Sequence, residues 1–182
     1  MPSNIICMRG LFVGRFQPFH NGHMKAVEWI LGRCDELVIA VGSTQRSFNR
    51  MEVFTAGERI GMMRRALKAR KLDGRCIIIP VSDINNNALW VSHVNSLCPE
   101  FDVVFSNNPL VKLLFSEAGK KVVEVPLFDR KSCDGSRIRK LMLSGAEWKE
   151  LVPKEVAEFI IQKRGIERLR SISKEDKYGV VA

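Results

Sequence analysis

The stretch Gly10-Leu11-Phe12-Val13-Gly14-Arg15-Phe16-Gln17-Pro18-Phe19-His20-Asn21-Gly22-His23 decides how this chain reads. Its first four residues are an apolar run of the kind that forms a short buried strand, and Met24 to Leu31 then repeats apolar residues at helical spacing. What lies between is therefore a strand-to-helix loop. Free backbone N–H groups and the positive end of a helix dipole meet at such a junction, which makes it an anion site. Arg15, His20 and His23 add donors that suit phosphate oxygens, and histidines three apart at a helix start share one face of the turn. Gly14 and Gly22 lack the Cβ atoms that would hold a ligand away from the backbone. The bland reading of the same residues is a capped turn with two solvent-exposed histidines. The upstream strand, the arginine and the proline-closed turn agree with one another and favour phosphate handling.

Outward from this loop, strand and helix signals alternate, the sequence form of an α/β fold with a doubly wound parallel sheet and helices on both faces. Glu36 to Gly42, Cys76 to Val81, Asp102 to Ser106 and Lys121 to Val125 read as the further strands. Thr55-Ala56-Gly57-Glu58 is a capping box opening a helix that runs to about Ala69. Asn108 as cap, Pro109 at the first helical position and Gly119 past the end punctuate another. Leu151 to Gly165 holds a helix introduced by Pro153, followed by Ile166 to Arg170. No repeat, low-complexity tract or linker divides the chain, so residues 1–172 are expected to form one domain, with 173–182 a polar C-terminal tail. Trp29 and Trp148 are expected to serve packing.

At 182 residues, 46% hydrophobic and 27% charged, the composition is that of a globular domain able to bury a sizeable core. No apolar run is long enough to span a membrane, and Met1-Pro2-Ser3-Asn4 lacks the layout of a signal peptide, so a cytoplasmic location is expected. Five cysteines without metal-ligand spacing read as free thiols. The formal net charge of +9 favours polyanionic ligands. The cations are spread over several segments rather than gathered in one tail, so nucleic acid is not expected, and a nucleoside triphosphate explains the surplus as well.

Two further loops leave predicted strand ends, where ligands collect in open α/β sheets. Ser82-Asp83-Ile84-Asn85-Asn86-Asn87-Ala88-Leu89-Trp90 offers hydrogen-bonding side chains and an indole, which an amide-bearing aromatic ring would use. An Asx-rich turn before a core tryptophan fits the spacing equally well. Asp134-Gly135-Ser136-Arg137-Ile138-Arg139 opens a helix, and Ser106-Asn107-Asn108 stands at another. No nucleophile is paired with a base, and no residue cluster suggests a catalytic metal. The reaction expected of such a set is direct in-line displacement at phosphorus, driven by positioning and charge neutralisation.

The loop G-R-F-Q-P-F-H-N-G-H resembles the (H/T)-x-G-H signature of the nucleotidyltransferases, and more narrowly the archaeal type of nicotinamide-nucleotide adenylyltransferase. Similar segments extend the likeness over most of the chain: F-T-A-G-E-R at 54–59, D-I-x-x-N-A-L-W at 83–90, and S-x-N-P-L-V at 106–111. The resemblance implies a Rossmann-like nucleotidyltransferase fold and transfer of the adenylyl group of ATP to nicotinamide mononucleotide, giving NAD and pyrophosphate. It implies catalytic roles for His20, His23, Arg15 and Arg139, with Gly14, Phe16 and Ser136 also on ATP. Arg59 would face the phosphates.

Ser43, Arg50, Asp83, Asn87, Trp90 and Asn108 would hold the mononucleotide, Trp90 stacking on the nicotinamide and Asp83 reading its carboxamide. Magnesium would arrive bound to ATP, with no metal site of the protein's own, and the subunits would form a homo-oligomer. Two positions depart from the pattern. Asp134 stands where the second signature, I-S-x-T-x-x-R, has its serine, and is expected to be the N-cap, with Ser136 or Ser132 supplying the hydroxyl. Arg50 is one place out of register, with Arg46 as its rival. The competing functions are a nucleotidyltransferase with another acceptor (phosphopantetheine, glycerol phosphate or FMN) and a non-enzymatic nucleotide- or RNA-binding module.

Overall fold

Strands β1 (Cys7–Gly14), β2 (Cys34–Val41), β3 (Cys76–Pro80), β4 (Val103–Phe105) and β5 (Lys121–Val123) form one parallel sheet in the order β3-β2-β1-β4-β5. The structure is a computed structural model that describes residues 7–128 and 133–175. The Leu37-Val38-Ile39-Ala40-Val41 run of β2 is wholly buried. Because side chains alternate along a strand, Leu37, Ile39 and Val41 enter one core while Val38 and Ala40 enter a second on the other face.

The larger core is covered by α1 (Asn21–Leu31), α2 (Ala56–Ala69), α5 (Gly135–Ser144) and α6 (Lys154–Gln162) through residues such as Ile30, Met62, Ile138 and Ile160. The smaller is covered by α3 (Asn87–Leu97) and α4 (Pro109–Glu117) through Val94 and Phe115. The doubly wound expectation is met. Trp148 is buried in the larger core, and Trp29 packs against it with Arg33 lying 3.7 Å over its ring.

The strand order reverses between β1 and β4, so the loops after these strands diverge and leave a crevice at their carboxyl ends. Every loop singled out in the sequence opens on that rim. The capping box at Thr55 and Glu58 is formed, and Glu58 also accepts two hydrogen bonds, 2.6 and 2.8 Å, from Arg168 of α7 (Gly165–Glu175), fastening the last helix to the start of α2.

Two readings need correction, and one helix carried no sequence signal. The helix α3 was not legible, because only Val94 on it is buried while Leu89 and Leu97 are exposed, which leaves no apolar stripe of helical period. The last helix α7 continues to Glu175, so Ser173 and Lys174 belong to it and not to a tail; 176–182, like Ser132, lie outside the described residues. Cys76, Cys98 and Cys133 are free thiols but Cys34 is disulfide-bonded. Burial pushes the thiols of Cys76 and Cys98 up to about 12 and about 11, so neither is a thiolate near neutral pH.

Candidate active site

His20 is the N-cap of α1, and His23 is the third residue of its first turn. The backbone N–H of His23 donates to His20 Nδ1 at 3.2 Å, and that of His20 donates to His23 Nδ1 at 3.3 Å. This is a capping box made of two imidazoles, and it stacks the rings 3.5 Å apart between centroids. Phe16 and Phe19 flank His23 at 4.9 and 5.6 Å. The histidines are thus themselves the capping residues, which neither reading of the sequence anticipated, and His20 is only 7% exposed, against the solvent exposure of the bland reading.

Burial lowers the pKa of His20 to about 4, and it holds His23 well below the ordinary histidine value, with the neighbouring His20 as a second cause. Both rings are therefore neutral, and since each Nδ1 accepts a backbone proton, each ring proton sits on Nε2.

The two histidines line a cavity of about 430 Å³ together with Arg15, Phe16, Ser136 and Arg139. Arg15 is held by the buried Glu52 carboxylate at 3.1 Å. Arg139 donates to the carbonyls of Gln17 at 2.6 Å and Arg50 at 3.0 Å, and to the Ser136 hydroxyl at 3.2 Å. Asp134 is the N-cap of α5 and accepts from the Ser136 N–H at 2.8 Å, as expected of it. Its place in the signature is therefore compatible with an anion beyond the cap.

One reading of this cavity is incomplete and another fails. A Cβ on Gly14 would meet the Phe16 ring at 2.7 Å, and one on Gly22 would meet the Phe128 carbonyl at 3.0 Å and the Cys133 side chain at 3.1 Å. Both glycines are required by the protein's own packing, whatever space they also leave beside the crevice cavity that they border. Arg59 does not face the phosphates either: it is wholly buried, and its guanidinium donates to the carbonyls of Arg15, Gly42 and Ser43. It ties the ends of β1 and β2 together, because carbonyls diverging past the sheet need a donor that reaches several at once.

A second cavity, about 250 Å³, occupies the crevice between the ends of β1 and β4, bounded by Gly14, Ser106, Asn107 and Asn108 and sharing His20 and His23 with the first. A third, about 240 Å³, is lined by Asp83, Asn87, Trp90 and Asn108, so Asn108 borders both. Trp90 is half-buried, edge-on to Phe115 at 5.7 Å, with part of its ring left on the cavity. Asn108 caps α4, its side-chain oxygen accepting from Leu110 and Val111 N–H groups at 2.9 and 3.2 Å.

Phosphate loop, crevice and indole thus form one track, and most of the residues read from the sequence meet along it. Two do not. Ser43 is buried and gives its carbonyl to Arg59, lining none of these three cavities. Arg50 turns its guanidinium to α7, donating to the Ser173 carbonyl at 2.7 Å, and only its own carbonyl serves the cavity through Arg139. Its displaced register carries it past the rim. Arg46 is exposed and lines none of the three cavities.

Two residues that hold the site together carried no mark in the sequence. Gln17 is buried, and its amide pairs with both the carbonyl and the N–H of Phe54, at 2.8 and 3.0 Å, which locks the phosphate loop to the segment before α2. Glu52 is the buried partner of Arg15; a lone carboxylate between Met51 and Val53 looks like a surface residue until the fold closes over it. Among the described residues, no group of three or more His, Cys, Asp and Glu is placed to hold a metal ion.

A parallel sheet with neutral imidazole donors and two arginines at its switch point defines an enzyme that handles nucleotide phosphates. Residues 11–141 match the Cytidylyltransferase-like family. The nicotinamide-nucleotide adenylyltransferase of Haloarcula marismortui is 48% identical over 93% of this chain and 89% of its own length. That of Pyrococcus horikoshii is 48% identical over 91% and 89%, and that of Archaeoglobus fulgidus 49% over 93% and 99%. The chain therefore belongs to the nicotinamide-nucleotide adenylyltransferases, a nucleotidyltransferase family.

Among solved structures, a bifunctional NMN adenylyltransferase/ADP-ribose pyrophosphatase from Francisella tularensis superposes with a TM-score of 0.76 at 17% identity, covering 95% of this chain and 54% of that one. This chain spans about half that bifunctional protein, and the likeness speaks to the fold alone. The same protein has been solved with AMP and a manganese ion.

Proposed function

We propose that this chain joins the 5′-phosphate of nicotinamide mononucleotide to the α-phosphorus of ATP, giving NAD and pyrophosphate. Support comes from relatives at 48% identity over 93% of the chain that carry this activity in their name. The observation that carries the residue assignment is the double-histidine capping box, which fixes two Nε2–H donors in a cavity that also holds two arginines. A phosphate oxygen of the mononucleotide attacks the α-phosphorus, the bond to the bridging oxygen breaks, and negative charge moves onto the departing pyrophosphate. His20 and His23 donate to the phosphate oxygens as that charge develops. Being neutral, they do so without trading a proton, and being already bonded and stacked, they need no reorganisation. Arg15 and Arg139 hold the β- and γ-phosphates, each oriented by protein acceptors before ATP arrives.

On this reading the nicotinamide lies on Trp90, with Asp83, Asn87 and Asn108 at its edge, and the crevice between the two cavities takes nucleoside. Neither Ser43 nor Arg50 is retained as a contact. Magnesium enters on the triphosphate and neutralises part of its charge. The donor set fits that role: Asp134 is the one carboxylate among the residues lining the cavity, and one of its oxygens is already engaged by Ser136. A homo-oligomeric enzyme of the cytoplasm goes with this reading, and exposed Leu89, Leu97, Leu110 and Leu113 on α3 and α4 suit subunit contact.

The test is purified protein with ATP, magnesium and a panel of acceptors, followed by separation of products. NAD from nicotinamide mononucleotide is expected. Release of pyrophosphate only with phosphopantetheine, glycerol phosphate or FMN, or with no acceptor at all, overturns the assignment.

A further inference from the structure

Where the strands of the sheet end, their backbones diverge and leave N–H and carbonyl groups that need partners. Between β2 and β3 the ladder runs on briefly, from the Val81 N–H to the Val41 carbonyl at 2.8 Å and from the Thr44 N–H to the Val81 carbonyl at 3.3 Å. Then the Gln45 side chain takes over: its oxygen accepts from the Asp83 N–H at 3.0 Å, and its amide donates to the Asp83 carbonyl at 3.4 Å. Between β4 and β5 the Ser106 N–H donates to the Val123 carbonyl at 3.1 Å, and the Asn107 side chain next pairs with the N–H and the carbonyl of Val125 at 2.9 and 2.7 Å. Gln17 on Phe54 is a third pair of this kind. A primary amide carries a donor and an acceptor side by side, as a peptide group does, so each side chain adds a rung where the backbones have parted.

Two of these pairs stand at opposite ends of the substrate track. Phe54 follows closely on Glu52, the partner of Arg15, and the Gln17 carbonyl receives Arg139, so Gln17 underlies the phosphate end. Asp83 lines the cavity that holds Trp90, so Gln45, which is exposed and does not line that cavity, underlies the indole end. The Asp83 loop has a second hold, His93 Nε2 of α3 donating to the Ser82 carbonyl at 3.1 Å, so loss of Gln45 should loosen the loop without detaching it.

We propose that Gln45 is a positioning residue for the mononucleotide: its paired bonds fix Asp83 relative to Trp90 before the ligand enters, as Gln17 fixes the phosphate end for ATP. The inference rests on the reading that seats the nicotinamide on Trp90. The bland role, satisfying two backbone groups past the end of a strand, predicts at most a lower Tm, with both substrates bound as before.

The experiment compares the natural full-length protein with Gln45→Leu and Gln45→Glu, which keep the size of the side chain, and with Gln17→Met. Steady-state assays give KM for each substrate, and calorimetric titration gives Kd for nicotinamide mononucleotide and, separately, for ATP with magnesium. Gln45→Leu loses both bonds, and Gln45→Glu turns an oxygen toward the Asp83 carbonyl. Each should raise KM and Kd for the mononucleotide about three- to tenfold, leave those for ATP within about twofold, and move Tm little because the pair is open to water. Gln17→Met should do the reverse, raising the values for ATP; should it fail to fold, the Gln45 variants decide by themselves.

Unchanged mononucleotide affinity in either folded Gln45 variant overturns the proposal, and so does an equal rise for ATP. A natural protein that binds the mononucleotide yet makes no NAD sinks the adenylyltransferase reading alone, since the titrations need no turnover and still decide the role of Gln45. One that binds no mononucleotide sinks both.

Discussion

At the N-terminus of α1 two imidazoles accept each other's backbone N–H groups, stack, and are closed in by Phe16 and Phe19. At the N-termini of α3 and α4 the corresponding side chains are asparagines that stand exposed around a half-buried indole. Both regions solve the same problem, unsatisfied donors at a helix start. The first solves it with groups that are fixed before any ligand enters. The second leaves room around a flat ring. Fixed donors act on the charge that develops in a reaction, whereas an open ring contributes binding that is the same before and during it. Damage to the first region should therefore appear in kcat, and damage to the second in KM.

The largest effect expected is from His23→Ala, which removes one preorganised donor and half of the capping box. A fall in kcat of about 100- to 1,000-fold is expected, with much smaller changes in nucleotide KM, in a pyrophosphate-release assay. Equal losses in kcat and in binding would erase the distinction between the two regions.

Protonation tests the same region without mutation. The folded-state pKa of His20 lies at about 4 against 6.5 for the free side chain, so between these values the unfolded chain binds a proton that the folded chain does not. Stability is then full above pH 6.5 and falls as pH drops toward 4, by something on the order of 3 kcal/mol for this group. Since the working form is already neutral, kcat should show no inflection near 6.5. A titration there in the rate profile would mean that an imidazolium does the work.

On the other side of the comparison, Trp90→Ala should raise KM for nicotinamide mononucleotide by about tenfold, the scale of one base–aromatic stack, and leave kcat and the KM for ATP nearly unchanged. Because the ring also touches Phe115, Trp90→Phe should restore most of the affinity if stacking is its role. A rescue of stability without a rescue of KM would return Trp90 to core packing.

The smallest effects separate glycines that look alike in sequence. Gly14→Ala should cost about 1–3 kcal/mol, a lowering of roughly 2–4 °C in Tm per kcal/mol, because the added carbon overlaps the Phe16 ring. Gly57→Ala, in the first turn of α2 with nothing within 4 Å of the added carbon, should be neutral or raise Tm slightly.

The phosphate loop was legible because each of its features is local: a strand, a turn, donors and a helix start within fourteen consecutive residues. The residues at the start of α3 and α4 were legible as a group for the same reason. Helix α3 itself was not, since it covers a small core with one wholly buried residue and so leaves little periodic trace. The packing roles of Gly14 and Gly22 and the tie made by Arg59 were not legible, because each depends on what another part of the chain places against it. Arg50 shows the limit most sharply: one position of register, invisible as a physical quantity in the sequence, sends its side chain to α7.

The alternation of strands and helices, the phosphate loop and its three cationic or hydrogen-donating side chains were determined by the sequence itself, because alternation, capping and turn chemistry act over a few residues. Tertiary structure alone decided that the imidazoles are buried and neutral, that Glu52 sets Arg15, and that Arg59 is a tie. Desolvation and charge pairing are sums over neighbours in space, and those neighbours lie far apart in the chain, as Gln17 and Arg139 do at a separation of 122 residues.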